Sequence, residues 1–512
     1  MKHAPAWMAL ALAGCASSGS GPSLPPVPSG SSQYVAHYVD WNTFCFDVRR
    51  SCFLPFDPLG GKLPSHLKWS TTVDGPVAAQ PVLAAGIAIN GSQRNVLYFG
   101  TANATVYALD ADNGTPIWQR AFNDSQRHAF CPDMPDGRFG ITSTATFDRH
   151  ANRLYTVDGE ARLHALDLST GKDTISPLPI TTDYHDEHVY GALTLDSVHH
   201  TLYVATAGIC DGDFGKIPYH GRIVAIDTTA SSSAAVVATY EPDLSYPGSF
   251  GDGIWGMGGV SISAQGVIYA GVGNALNAPE TAGDADKIAA FSYPLQRIGV
   301  TAPAPLPGFD VDFGTTPTPA ACGSASFVIA PNKSGLLAYS PGAPALSQPS
   351  ASLPLVVNAP PGPAQSFLGP GAFDWSHGTY YVGVPLFNDG SGTGGISALQ
   401  FNAGCTLNPI FRFAPLNSIQ FGSFAALNKY PMTIVDSAGG QLIYALISSS
   451  STLVAGSPGP SEIAAFTPGA SNALWNSGPL ITYAVAPPLV DGNLYEGSFL
   501  CNGNCAMYAF AP

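Results

Sequence analysis

Short apolar runs of four to eight residues, each bounded by Gly, Asp, Asn or Pro, recur through most of this chain. Such runs read as buried strands joined by tight turns. The stretch VLYFGTANATVYALDADNGTPIW (96–118) predicts a strand, a turn, a second strand and an Asp-rich turn, and NRLYTVDGEARLHALDLSTGKD (152–173) repeats it. Weaker copies follow as GRIVAID, DKIAAFS, GLLAYSP, GISALQF, SEIAAFT and AMYAFAP. An alanine recurs in the equivalent place at 108, 165, 225, 290, 338, 398, 465 and 509. Eight units of four strands predict an all-β protein, an eight-bladed β-propeller in which radial repetition protects the sheet edges. The chain stops just after AMYAFAP, and LKWSTTV (67–73) precedes the first complete unit, so N- and C-terminal strands are expected to close the ring over 67–512. Residues 34–66 then form an extension outside the repeat.

Composition agrees with many turns. Gly 56 and Pro 45 accompany 45% hydrophobic and only 11% charged residues. A net charge of −15 argues against a nucleic-acid partner, since no basic stripe is present to neutralise phosphates. No run of 18 apolar residues predicts a membrane-spanning helix. Residues 1–15 have a basic start at Lys2, an apolar segment from Ala4 to Ala13, and Leu12-Ala13-Gly14-Cys15. That tetrapeptide resembles the bacterial lipobox, which implies lipidation of Cys15 and export. Ala16-Ser17 lacks the Asp of inner-membrane retention, so anchorage to the outer membrane by lipid alone is expected, with residues 16–33 as a Ser/Gly/Pro tether. The remaining eight cysteines suit an oxidising compartment. Cys45 and Cys52 are close enough to staple the extension, and Cys501 and Cys505 flank an Asn-Gly turn. Cys131, Cys210, Cys322 and Cys405 allow three pairings.

In a four-stranded blade, the loop entering the innermost strand and the loop leaving the second lie on one end of the ring. This places Arg138, Thr142 and Ser143 (unit 2), Asp211 and Asp213 (unit 3), Trp255 and Asn274 (unit 4), and Asp310, Asp312 and Lys333 (unit 5) around one mouth. Carboxylates with an Asn carbonyl are hard oxygen donors suited to Ca²⁺. A lysine supplies a cation for a carbonyl or carboxylate, and a Trp face offers a stacking floor. The glycine-rich stretch 251–277, with eight glycines around a lone Trp, is where a backbone comes close to a flat aromatic face. His185-Asp186-Glu187-His188 reads as a solvated loop.

ALDADNGTPIW and ALDLSTGK resemble the repeat of the pyrroloquinoline quinone (PQQ)-type propeller superfamily, over roughly 66–512. That superfamily includes quinoprotein dehydrogenases, which bind PQQ with calcium, and non-enzymatic lipoproteins such as BamB, so the fold alone does not fix function. GIWGMGGVSISAQGVIYAGVGN resembles the quinoprotein stretch with a Trp under PQQ and a metal-binding Asn, which implies Trp255 as floor and Asn274 as ligand. NKSG implies Lys333 at the quinone oxygens. DVDFG resembles the segment around the catalytic aspartate, leaving Asp310 and Asp312 both open as base, and Asp211 or Asp213 stands where the family has Glu. Arg138, Thr142 and Ser143 complete the implied cofactor set. The vicinal cysteine pair of many such dehydrogenases is missing, and neither a haem domain nor a haem-attachment motif is present. Two functions follow as expectations. One is a Ca/PQQ-dependent dehydrogenase acting on an alcohol or sugar hydroxyl. The other is a non-catalytic BamB-like scaffold for envelope proteins or polysaccharide. A monomer is expected in either case.

Overall fold

The computed structural model describes residues 38–512 except 129–130, 132, 243–245, 247, 278, 280–281, 303–311, 348, 357–367, 386, 388–393, 414–430, 449–460, 471, 481–483 and 502. Cys15, the leader, the tether and Asp310 lie outside the described residues. Eight mostly four-stranded antiparallel sheets form an eight-bladed propeller. The blades span 82–121, 146–179, 194–240, 261–301, 318–354, 371–413, 432–476, and 489–511 completed by 66–72. The closing strand His66–Thr72 runs antiparallel to Ala506–Ala511, with His66 opposite Ala511 and Thr72 opposite Ala506. No helix among the described residues is long and apolar enough to cross a membrane.

The recurring alanine has a packing reason. All eight are fully buried in third strands. Seven of them face a tyrosine of the second strand: Tyr98, Tyr155, Tyr203, Tyr269, Tyr381, Tyr444 and Tyr495, whereas Ala338 faces Ala330. Residues directly opposite share a face, so a methyl group beside a ring keeps the layer filled without overpacking. Several of the hydroxyls reach the next blade. Tyr98 donates to Leu168 O at 2.7 Å, Tyr381 to Gln441 Oε1 at 3.0 Å, and Tyr495 to Ala111 O at 3.0 Å.

The first two repeats carry a second device. Trp69 and Trp118, each on an outer strand, lie against Gly114 and Gly171 of the following blade and donate to Ala111 O and Leu168 O at 3.1 and 3.0 Å. Both glycines have positive φ (73° and 68°), and a Cβ on either would lie 2.6 Å from the indole. Gly171→Val is therefore expected to cost about 3 kcal/mol, combining left-handed backbone strain with overpacking. Urea unfolding reads this directly; a loss below about 1 kcal/mol would show that the indole simply swings away.

Residues 38–54 add no blade and cross the central channel. Trp41 exchanges backbone hydrogen bonds with Leu83, at 2.8 and 3.0 Å. Asn42 O, Val48 O, Ser51 O and Cys52 O accept from the N–H groups of Phe147, Ile262, Phe373 and Ile434. Phe53–Leu54 then lies parallel to Ile434 and Val435. One segment thus touches the innermost strands of blades 1, 2, 4, 6 and 7. The expected Cys45–Cys52 disulfide closes its central loop. Arg50, 2% exposed, stitches this plug to blades 3 and 4. It donates to Thr43 Oγ1 (2.6 Å), Phe44 O (3.0 Å), Leu193 O (3.3 Å), Val260 O (3.3 Å) and Thr194 Oγ1 (2.5 Å). Burial pulls its pKa down to about 9.

Candidate functional site

The glycines of 251–277 make a bed for Trp255. A Cβ on Gly253 would lie 2.6 Å from its indole Cε2, and one on Gly273 would lie 2.8 Å from Nε1. The rest of the ring meets Tyr190 (centroids 5.4 Å apart, tilted 45°) and the edge of Tyr219 (6.2 Å, 76°). Only 8% of Trp255 stays exposed, and the two tyrosines are buried. Trp255 Nε1 has no hydrogen-bond partner among the described residues.

Beside this aromatic group sits a charged one. Asp312, fully buried, accepts the Asn274 N–H on Oδ1 at 2.7 Å and pairs through Oδ2 with the Lys333 ammonium. The Lys333 N–H donates to Asp312 O at 3.0 Å, so loop and side chain are fixed together. The Asn274 Oδ1 carbonyl is buried without a partner among the described residues. Asp211 accepts from the Tyr219 hydroxyl at 2.6 Å. Burial and then the charge of Asp312 raise the Asp211 pKa, against Lys333 and the Tyr219 bond. Asp133, deep but partly solvent-reachable, is pushed up to about 6 by burial and by Asp211, with Lys333 opposing.

A disulfide spans these loops. Cys131 in the loop before the inner strand of blade 2 joins Cys210 in the turn after the second strand of blade 3. That turn is left-handed over four residues, with φ of 46°, 53°, 62° and 49° at Cys210, Asp211, Gly212 and Asp213. The other two pairs are Cys322–Cys405 and the expected Cys501–Cys505.

Asp211, Asn274, Asp312, Lys333 and Trp255 thus meet at one mouth. Asp213 instead pairs with Lys216 at 3.0 Å. Arg138 lies on a short hairpin where Arg138–Phe139 pairs with Gln126–Arg127. Thr142, buried, donates to Val189 O (2.9 Å) and lies 2.8 Å from His188 Nε2, so its hydroxyl serves the wall. Ser143 Oγ is buried without a partner among the described residues. Only the first half of the His185–His188 stretch is solvated, with His185 exposed and Asp186 half-buried. Glu187 and His188 are buried, Glu187 pairs with Arg222, and burial drops the His188 pKa to about 3. Asp133, Tyr190 and Tyr219 were not legible as site residues. The nearest signal was Asp133, two positions from a cysteine of open pairing.

The folded pKa of Asp133, about 6, exceeds the ordinary carboxylate value of 3.8, so the folded state holds that proton more tightly. The resulting stability is present below pH 3.8 and lost as pH rises through about 6. Asp133→Asn is therefore expected to gain about 2 kcal/mol over the parent at pH 7.5, with the gain vanishing by pH 4. Urea midpoints at the two pH values check the sign; an equal gain at both would remove the charge as its cause.

The family model for outer membrane protein assembly factor BamB matches residues 56–172. No curated protein matches the chain. Among solved structures, the quinohemoprotein alcohol dehydrogenase from Comamonas testosteroni is similar with a TM-score of 0.64 at 15% identity, over 92% of this chain and 80% of that one. This chain shares the propeller fold of that enzyme. A quinohemoprotein alcohol dehydrogenase from Pseudomonas putida HK5 gives a TM-score of 0.62 at 13% identity, over 92% of this chain and 79% of that one. A europium-containing methanol dehydrogenase gives 0.57 at 14%, over 90% and 89%.

The two groups implied by the resemblance fit unequally. The carboxylates of Asp211 and Asp312 with the unpartnered Asn274 carbonyl are a hard-oxygen set that suits calcium. The quinone fits less well. The Trp255 face that would carry it is walled by Tyr190 and Tyr219. Lys333 is already paired with Asp312, and Asp133 and Asp211 add negative charge near it.

Proposed function

We propose that this protein is an exported, lipid-anchored PQQ-type propeller with a calcium site at its mouth and no quinone redox chemistry. It serves as a non-catalytic binding module for an envelope protein or polysaccharide, on the outer membrane. The observation that carries this reading is the covered Trp255 beside intact hard-oxygen donors. The Leu12-Ala13-Gly14-Cys15 leader supports the anchor. Asp211, Asp312 and Asn274 Oδ1 would hold the ion. Lys333 shares Asp312 and so sets the affinity: the ion must draw the carboxylate from the ammonium.

The test uses the full chain with Cys15→Ser. Terbium, a calcium mimic, is expected to bind once per chain, with emission sensitised by the nearby aromatics and displaced by Ca²⁺. Asn274→Ala is expected to weaken binding at least ten-fold. PQQ, with or without Ca²⁺, is expected neither to quench Trp fluorescence saturably nor to support dye-linked oxidation of alcohols and aldoses. Saturable quenching with turnover would replace this reading by a second one, a PQQ-dependent alcohol or sugar dehydrogenase. Its support is the Asn274–Asp312–Lys333 arrangement, in which Asp312 would be the base for a substrate hydroxyl and Asp310 the alternative in sequence.

A further inference from the structure

Among the described residues, one group of three potential metal-binding side chains has its ligand atoms within 4.8 Å of one another: Cys131, Asp133 and Cys210. Two of the three are spent on each other as a disulfide, with Cα atoms 5.6 Å apart. We infer that these residues form a second metal site that is latent while the disulfide stands. Its reduction by a dithiol frees two thiols that, with the Asp133 carboxylate, bind a zinc-class cation.

The chemistry balances. The dithiol supplies two electrons and two protons, the Cys131–Cys210 bond breaks into two thiols, and the dithiol leaves as its own disulfide. The cation then displaces both thiol protons as two metal–sulfur bonds form. Two thiolates and one carboxylate are a borderline-soft set that selects zinc over calcium and leaves one tetrahedral position for water. The hard-oxygen set of Asp211, Asn274 and Asp312 shares no ligand with it, so this inference does not rest on the calcium reading.

The backbone explains why a metal bridge would matter. Cys210 opens the left-handed turn that carries Asp211, and three of its four residues are not glycine. A non-glycine residue is unfavourable in that conformation, so the turn depends on its tethers. The disulfide is one of these, alongside the Tyr219–Asp211 hydrogen bond. Zinc–sulfur bonds of about 2.3 Å would hold the two sulfurs roughly 3.8 Å apart, nearly as tight a tie between the same loops. Reduction without metal unties the turn, and reduction with metal re-ties it.

The full chain, oxidised or reduced with a dithiol that is then removed without air, is titrated with Co²⁺ as a zinc probe. Only the reduced chain is expected to show sulfur-to-cobalt charge-transfer absorption, saturating at one ion and bleached by Zn²⁺. Cys131→Ser/Cys210→Ser, which keeps the other three disulfide pairs, is expected to lose the band. Asp133→Asn retains both cysteines and folds with its disulfide intact; once reduced, it is expected to bind Co²⁺ at least ten-fold more weakly. No charge-transfer band in the reduced chain, a band that survives the double substitution, or unchanged affinity in Asp133→Asn would each overturn the inference.

Discussion

Asp312→Ala is expected to abolish calcium binding at the mouth and to lower stability by about 3–5 kcal/mol. Both effects arise from one side chain with three duties. Its carboxylate neutralises Lys333, whose side chain is only 14% exposed, and it receives the Asn274 N–H at 2.7 Å. Removal takes from the ammonium its nearest counter-charge in a site that water reaches poorly, leaving Asp211 and Asp133 as the carboxylates that still act on it. Such half-removed pairs cost more than the pair itself contributes. It also frees Asn274, the residue whose carbonyl faces the proposed ion. Terbium titration and urea unfolding read the two effects separately. The double substitution Asp312→Asn/Lys333→Met should recover most of the stability and none of the binding. If the single variant unfolds within about 1 kcal/mol of the parent, Lys333 finds another partner and the carboxylate is not the keystone.

Arg50→Met is expected to cost about 3–4 kcal/mol and to open the central channel. Methionine keeps the aliphatic stem but takes the guanidinium from the carbonyls of Phe44, Leu193 and Val260, leaving the last two only the hydroxyls of Thr43 and Thr194. Hydrogen bonds from a charged donor contribute about 1.5–3 kcal/mol each. The released desolvation cost of a guanidinium without a direct carboxylate contact offsets part of the total. The urea midpoint measures the loss. Limited trypsinolysis reports the opening, because Arg49 lies within the plug and Lys62 just after it. Unchanged cleavage at these two sites would mean that backbone pairing alone holds residues 38–54 in place.

The architecture was legible because it rests on repetition. The eight alanines mark third strands through a packing rule that acts within each blade, and the closing strand follows from counting strands. The convergence of Asn274, Asp312 and Lys333 was legible for the same reason, since strand parity sends equivalent loops to one end. Three features were not. The plug has no repeat pattern, and its pairing with blades 6 and 7 reaches across most of the chain. The walls of Trp255 depend on the directions of the Tyr190 and Tyr219 rings, which residue identity does not carry. The partner of Cys131 depended on two loops from different blades meeting, so Asp133 beside it read as ordinary turn chemistry.

The plug also sets the order in which the molecule can be finished. Val39 donates to Asp491 from 452 residues away, and Cys52 O receives the N–H of Ile434. Contacts of such separation form late, because the loop between them must close first. The earliest residues to emerge during synthesis are thus among the last to settle. Until blades 6 to 8 arrive, the hub has too few inner strands to receive residues 38–54, and the outer strand of blade 8 is still unclaimed. Chains cut short of residue 489 lose more than the last blade: they lose the partner that seats Val39 and closes the ring.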